Sequence, residues 1–246
     1  MNHRIQKVIV IPSYNETLAL AQLLKELVDD LLDSDAVMIM DDSPVDVAKE
    51  VESACRNQLS GTDVNFYFFN HNGKSGRGSA VRRGFEKSVE LFPDLRFVIE
   101  CDADGSHQAA DIIKVKNSEN LSDLLIGSRY LPDSKIIGWP VSRRIFSYLL
   151  NLIIPKFLRI DIKDITNGLR RYNLSAIGAI LSKDQSNKGF IYLSEQALLI
   201  KKANLVISEI PIEFIDRTLG SSTVTWREIL ASIRGVILLL STAHRH

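Results

Sequence analysis

Short apolar runs alternate with amphipathic stretches through the first half of the chain. Residues 8–11, 36–40, 64–69, 97–99 and 124–126 are rich in β-branched, aromatic or other apolar side chains and read as strands. Between the first two, Leu20, Leu23, Leu24, Leu27 and Leu31 recur at helical spacing, and after the third a glycine-rich loop opens into a helix over 80–91. Strand and helix in alternation predict an α/β fold, with a mostly parallel central sheet flanked by helices. Ligands of such sheets bind beyond the carboxyl ends of the strands.

The second half has a different pattern. Residues 141–154 form a predicted helix with an apolar face, 174–181 and 194–203 shorter helices, and 205–215 an extended segment. No Gly/Ser/Pro-rich linker and no repeat interrupts the chain, so one domain over residues 1–246 is expected. The longest apolar stretches, 145–160 and 229–240, are broken by polar or charged residues before reaching the roughly 20 apolar positions a membrane span needs. The first 12 residues do not have the layout of a secretory signal peptide.

Composition narrows the function classes. The 30 basic and 30 acidic side chains balance, which removes the global basic field expected of a nucleic-acid binder. Two cysteines, Cys55 and Cys101, support neither a disulfide framework nor a zinc site and fit a reducing cytoplasm.

Candidate chemistry lies in the loops after strands. In the segment Cys101-Asp102-Ala103-Asp104-Gly105-Ser106-His107, Asp102 and Asp104 sit at i and i+2, and can converge on a hard cation such as Mg²⁺ or Mn²⁺ that neutralises a diphosphate. An ordinary Asp/Gly/Ser turn has the same letters. Pro12-Ser13-Tyr14-Asn15-Glu16 stops the first strand and opens a helix, as a nucleotide cradle or as a plain cap. Asp41-Asp42-Ser43-Pro44 offers carboxylates to a ribose or base, or makes a turn. In the segment from Asn72 to Gly78, glycines permit close backbone approach, and Lys74 and Arg77 are cations that can face phosphates. Neither a Walker spacing nor the dinucleotide G-x-G-x-x-G is present.

Taken in order, these loops resemble family 2 glycosyltransferases of the GT-A fold, and within them the polyprenol-phosphate sugar synthases. Further landmarks are Gly127-Ser128-Arg129-Tyr130, Gly138-Trp139, Arg143 to Ser147 with Asn151, Asp164-Ile165-Thr166, Glu195, and Asp216 to Ser222. The resemblance implies a nucleotide-sugar-binding half over about 1–130 and an acceptor-binding half over about 131–246, ending in interfacial helices. It implies that Pro12, Tyr14, Glu16, Lys74 and either Asp41 or Asp42 contact the donor, while Asp102, Asp104 and Ser106 surround a divalent metal, Mg²⁺ or Mn²⁺, and the donor diphosphate. Arg129, Arg143 and Ser147 would bind the phosphate of a polyprenyl acceptor, and Arg217 and Ser222 would close over the donor phosphates. The implied reaction moves a hexosyl group, mannose from GDP-mannose first among the candidates, with inversion. Another donor such as UDP-glucose, a non-lipid acceptor, and a non-catalytic nucleotide binder of the same fold are the alternatives.

The acceptor bears on location. Residues 145–154 are apolar nearly all round, with Arg143, Arg144, Lys156 and Arg159 flanking them. That describes an interfacial helix and a buried core helix equally well. Residues 226–240 are a second candidate for the membrane surface. The expectation is an enzyme held peripherally at the cytoplasmic face of a membrane, directly or through a membrane-anchoring protein.

Overall fold

The β-branched run of β1 (Lys7–Ser13) is covered on both sides, because alternate side chains of a strand face opposite ways. Val8 and Val10 join Met38 and Met40 in one core cluster, and Ile9 and Ile11 join Val37 and Ile39 in a second. The structure, a computed structural model, describes residues 4–184 and 191–216. Its main sheet has seven strands in the order β3-β2-β1-β4-β7-β5-β8. The further strands are β2 (Asp35–Asp41), β3 (Asn65–Asn70), β4 (Phe97–Glu100), β5 (Leu124–Ser128), β7 (Arg170–Asn173) and β8 (Ile207–Pro211). All run parallel except β7, which lies antiparallel between β4 and β5.

Helices cover both faces, as the alternation predicts. On one side α1 (Thr17–Leu27), α2 (Val45–Gln58) and α4 (Ala109–Asn117) bury Leu20, Leu24, Val51 and Ile112. On the other, α3 (Arg77–Leu91), α6 (Leu174–Leu181) and α7 (Tyr192–Lys202) bury Phe85, Ile177 and Ile200. α3 approaches the sheet so closely that a Cβ at Gly84 would lie 2.4 Å from Val10 Cγ1. α6 starts where its letters say it should, with the Asn173 side chain accepting from Ala176 N at 2.9 Å as an N-cap.

Three elements depart from the sequence reading. The extended segment 205–215 is two strands in different sheets: β8 joins the main sheet, while β9 (Glu213–Ile215) pairs with β6 (Lys135–Ile137). Ile212, 2% exposed, is the corner between them; its N–H reaches Ser128 O and its carbonyl accepts from Lys135 N. β7 has no apolar signature because Arg170 and Arg171 fall in it. Both are nonetheless buried, the first donating to the carbonyls of Ile165, Asn167 and Leu193, the second to those of Val115, Ser118 and Asn120. Main-chain acceptors thus replace most of the water these guanidiniums lose, Arg171 Nε being the group without one among the described residues.

The predicted helix 141–154 extends as α5 (Val141–Leu158), through Pro155 to a left-handed Arg159, with the Lys201 ammonium on the carbonyls of Leu158 and Arg159. It is not a core helix. Asn151, Ile154, Pro155 and Leu158 are buried, while Ile145, Tyr148, Leu149, Leu152, Ile153 and Phe157 are each more than two-fifths exposed. Among the described residues no helix is long and apolar enough to cross a membrane.

Candidate active site

Strands β1 to β5 end on one side of the sheet, and the loops beyond them are tied together by side chains. After β1, Asn15 adopts φ 59°, and its N–H donates to Ser43 Oγ at 2.9 Å. Asp41, fully buried, accepts from Ser43 N and Oγ, both at 3.0 Å, and from Asn70 Nδ2 at 3.1 Å. Asp42 reaches across to the next loop, where it accepts from Ser75 N at 2.9 Å, Ser75 Oγ at 2.6 Å and Arg83 Nη2 at 2.5 Å. Both aspartates therefore hold the loops in place. Pro12 is half-buried at the end of β1, Tyr14 is exposed at the rim with the Lys74 ammonium 5.1 Å from its ring centroid, and Glu16 takes the N-cap position of α1 without a side-chain cap bond.

The acidic loop follows β4 and rests on a buried ion-pair chain. Arg77, at the start of α3, donates to Asp102 Oδ1 through Nε at 2.7 Å, with Nη2 2.6 Å from the same oxygen, and its Nη1 meets Glu100 Oε1 at 2.5 Å. Glu100 is fully buried and also accepts from the hydroxyls of Tyr172, at 2.8 Å, and Tyr192. Arg77 thus turns inward, away from the phosphate-facing position that its loop suggests. Gly168 makes room for it, since a Cβ there would lie 2.5 Å from Arg77 Nη2. Burial pushes the Glu100 pKa up, against the opposing pull of Arg77. Burial acts the same way on Asp102, but there the Arg77 guanidinium, by charge and by hydrogen bond, leads the groups that offset it and hold the carboxyl below its ordinary value.

His107 is buried and its tautomer is fixed by its neighbours. Nδ1 accepts from Asp102 N at 3.1 Å, so the proton is on Nε2, which donates to Asn167 Oδ1 at 2.9 Å. Its ring stands edge-on to Phe214 of β9, and the two residues form a β-bridge. Asp104 is half-buried, with Oδ1 accepting from Ser106 N at 3.1 Å; Ser106 is buried and its carbonyl accepts from Ile215 N. Among the described residues no cluster of three or more His, Cys, Asp or Glu could form a metal cage. Hard-cation binding has another mode, in which one or two carboxylates share the ion with substrate phosphates, and Asp102, with Oδ1 engaged by Arg77, and Asp104 are the carboxylates this loop offers for it.

Beyond β5 lies a basic, aromatic corner. Arg129, 8% exposed, makes a bidentate pair with Asp164, Nε to Oδ2 at 2.7 Å and Nη2 to Oδ1 at 2.8 Å, and Nη2 also donates to Thr166 Oγ1 at 2.8 Å. Glu209 of β8 receives the backbone N–H groups of Lys163 and Asp164 and so anchors that loop. Thr166 is bonded in turn to Asn151 of α5, and Ser147 accepts from Tyr130 Oη at 2.8 Å. Arg143 donates to Asp216 Oδ1 at 2.8 Å, and its guanidinium stacks 4.2 Å from the centroid of Trp139. Arg129, Arg143 and Ser147, predicted together, do share this corner. Arg217, Ser222 and 226–240 lie outside the described residues.

Sequence reasoning left several of these groups without a role. Trp139, Asn151, Asp164 and Thr166 stood among the landmarks with no task assigned. Glu100, Tyr172 and Tyr192 gave no signal: Glu100 and Tyr192 sit in or beside short apolar runs where a polar residue reads as an interruption, and Tyr172 lies between Arg171 and Asn173 in a strand with no apolar period.

Residues 8–181 match the family described as glycosyl transferase family 2. The chain belongs to that family. It is 30% identical over 216 residues to an undecaprenyl-phosphate mannosyltransferase of Micrococcus luteus, covering 88% of this chain and 86% of the relative. It is 27% identical over 223 residues to a polyprenol monophosphomannose synthase of Mycolicibacterium smegmatis, covering 90% and 82%. Among solved structures, a Pyrobaculum calidifontis mannosyltransferase in complex with GDP-Man and Mn²⁺ superposes with TM-score 0.64 at 13% identity, over 98% of this chain and 65% of the other. Glucosyl-3-phosphoglycerate synthase from Mycobacterium tuberculosis, in complex with Mn²⁺, UDP and phosphoglyceric acid, gives TM-score 0.60 at 16% identity, over 98% and 79%. The fold is therefore GT-A, and the family 2 chain described here is a glycosyltransferase.

Proposed function

We propose that this glycosyltransferase moves a hexosyl group from a nucleotide sugar to a polyprenyl phosphate with inversion at the anomeric carbon, mannose from GDP-mannose being the first donor to test. The observation that carries the reading is the basic corner of Arg129 and Arg143 at the head of an exposed apolar helix, beside the acidic loop. An acceptor with a phosphate head and a prenyl tail needs both surfaces side by side. The activities named for the two relatives support the same reading.

The chemistry asks little of a general base. A phosphate monoester is largely ionised near neutral pH and is already a nucleophile. Positioning and leaving-group stabilisation then carry the rate. Arg129, Arg143 and Ser147 align the acceptor phosphate, the guanidinium fork suiting phosphate oxygens. Pro12, Tyr14, Glu16 and Lys74 form the donor rim, Asp41 and Asp42 hold its loops, and Arg217 and Ser222 are assigned to the donor phosphates. Asp102, Asp104 and Ser106 are assigned to the donor diphosphate and its Mg²⁺ or Mn²⁺. That cation, when bound, offsets the charge on the departing nucleoside diphosphate. The exposed face of α5 rests on the membrane that holds the acceptor's tail, at the cytoplasmic side, with or without an anchoring partner protein.

A transfer screen over GDP- and UDP-sugars, with polyprenyl phosphate and soluble glycans as acceptors, tests this. Product on the lipid phosphate with one preferred donor is the expected result. Equal transfer to a soluble glycan would overturn the acceptor assignment.

A further inference from the structure

Two positive charges placed to grip one phosphate repel each other until it arrives, so something else must hold them. Arg129 is fixed by its bidentate pair with Asp164. Arg143 has a looser tie, a hydrogen bond to Asp216 Oδ1 from a side chain 38% exposed. What the two share is Trp139, whose ring centroid lies 5.2 Å from the Arg129 guanidinium carbon and 4.2 Å from that of Arg143. The indole is 8% exposed and packs edge-on against Phe214, which also lies 5.3 Å from Arg129. Its Nε1–H is buried without a hydrogen-bond partner among the described residues. The ring is therefore retained for its π face and its packing, at the cost of an unsatisfied donor.

Backbone geometry aims it there. Gly138 has φ +83°, which disfavours any side chain, and a Cβ at that position would come within 3.1 Å of Asp216 Cβ. Asp216 N bonds Ile137 O, so the end of β6 that leads into Trp139 is pinned to the end of β9 that carries Arg143's carboxylate partner.

From this juxtaposition we infer that Trp139 is a positioning residue, an aromatic platform that holds the Arg129 and Arg143 guanidiniums together for the phosphate of the acceptor. The inference rests on the lipid-phosphate acceptor proposed above. It predicts a defect confined to the acceptor side.

The test is steady-state kinetics of the full chain with a short-chain, water-soluble polyprenyl phosphate, comparing Trp139→Phe, Trp139→Leu and the unsubstituted protein, with thermal melts alongside. Trp139→Leu should raise the acceptor KM about tenfold, while donor KM and kcat stay within about twofold. Trp139→Phe keeps a ring and removes the unpaired N–H, so it should recover most of the acceptor affinity without a lower melting temperature. An unchanged acceptor KM in folded Trp139→Leu would overturn the platform. So would parallel loss of donor and acceptor kinetics, or a lowered melting temperature in both variants, which would mark Trp139 as merely structural. If the unsubstituted protein used no prenyl phosphate at all, the functional proposal would fall first and take this inference with it.

Discussion

Glu100 sits at the end of an apolar strand with no exposed surface, and the Arg77 guanidinium is its nearest cation. Removing one partner of a buried pair leaves a desolvated charge, at about 3–5 kcal/mol. Arg77→Met should accordingly destabilise the protein strongly in denaturant melts, and adding Glu100→Gln should restore much of the loss. The pH dependence has a definite sign. A carboxyl whose folded pKa is raised contributes fully below its unfolded value, about 4.3, and loses that contribution as pH rises through the folded value. Glu100 is already raised, and without Arg77 it rises further, so the deficit of Arg77→Met should be larger at about pH 8 than at about pH 5. At Asp104, the half-buried carboxylate of the pair, Asn should abolish transfer while leaving the melt unchanged, and a chelator should silence the unsubstituted enzyme. Full activity of that variant without divalent metal would remove Asp104 from the metal. The aspartates at 41, 42, 102 and 104 could all be picked out as candidates from the letters alone. Which of them are bound up by neighbours could not, because Ser75, Arg83 and Arg77 reach them from another loop and helix.

Elements announced themselves according to how well their surroundings match their side chains. Of the parallel strands, β1, β2, β4 and β5 are buried on both faces or nearly so and the edge strand β3 is half-buried, and their continuous apolar runs say as much. β7 was invisible because its arginines are satisfied by carbonyls distant in sequence, and β6 because three residues carry no period. For α5 the letters were ambiguous, and the structure resolves them by exposing the apolar side. That changes which substitutions are informative. Leu150 is half-buried against the core, so charging it risks the fold, whereas Leu149 and Ile153 are 45% and 43% exposed. Leu149→Glu with Ile153→Glu should therefore melt like the unsubstituted protein, yet float poorly with liposomes and use a long-chain acceptor slowly. A short-chain, soluble acceptor should be spared. Unchanged flotation in a well-folded double variant would move the membrane contact off α5.

At the scale of the whole molecule, the two halves of the chain, to which donor and acceptor binding are assigned in the proposal, are not separable bodies. β7 comes from the second half of the chain, yet its backbone bonds fill the gap between β4 and β5, both from the first. Tyr172 on β7 packs edge-on against Phe85 of α3, and its hydroxyl supports Glu100 beneath the acidic loop. A fragment ending at about residue 130 would leave β4 and β5 with open edges and the Glu100 carboxylate short of two hydroxyl donors, Tyr172 and Tyr192. Such a fragment should be aggregation-prone and should bind no nucleotide sugar. The full chain, by the same topology, should unfold in a single transition, with far-UV circular dichroism and tryptophan fluorescence coincident in denaturant. A fragment that folded alone with a cooperative melt, or two separated transitions in the full chain, would show that the crossing of β7 between the halves does not couple them. The coupling matters for the reaction, because the strand that joins the halves also sets the floor on which Asp102 and Arg77 rest.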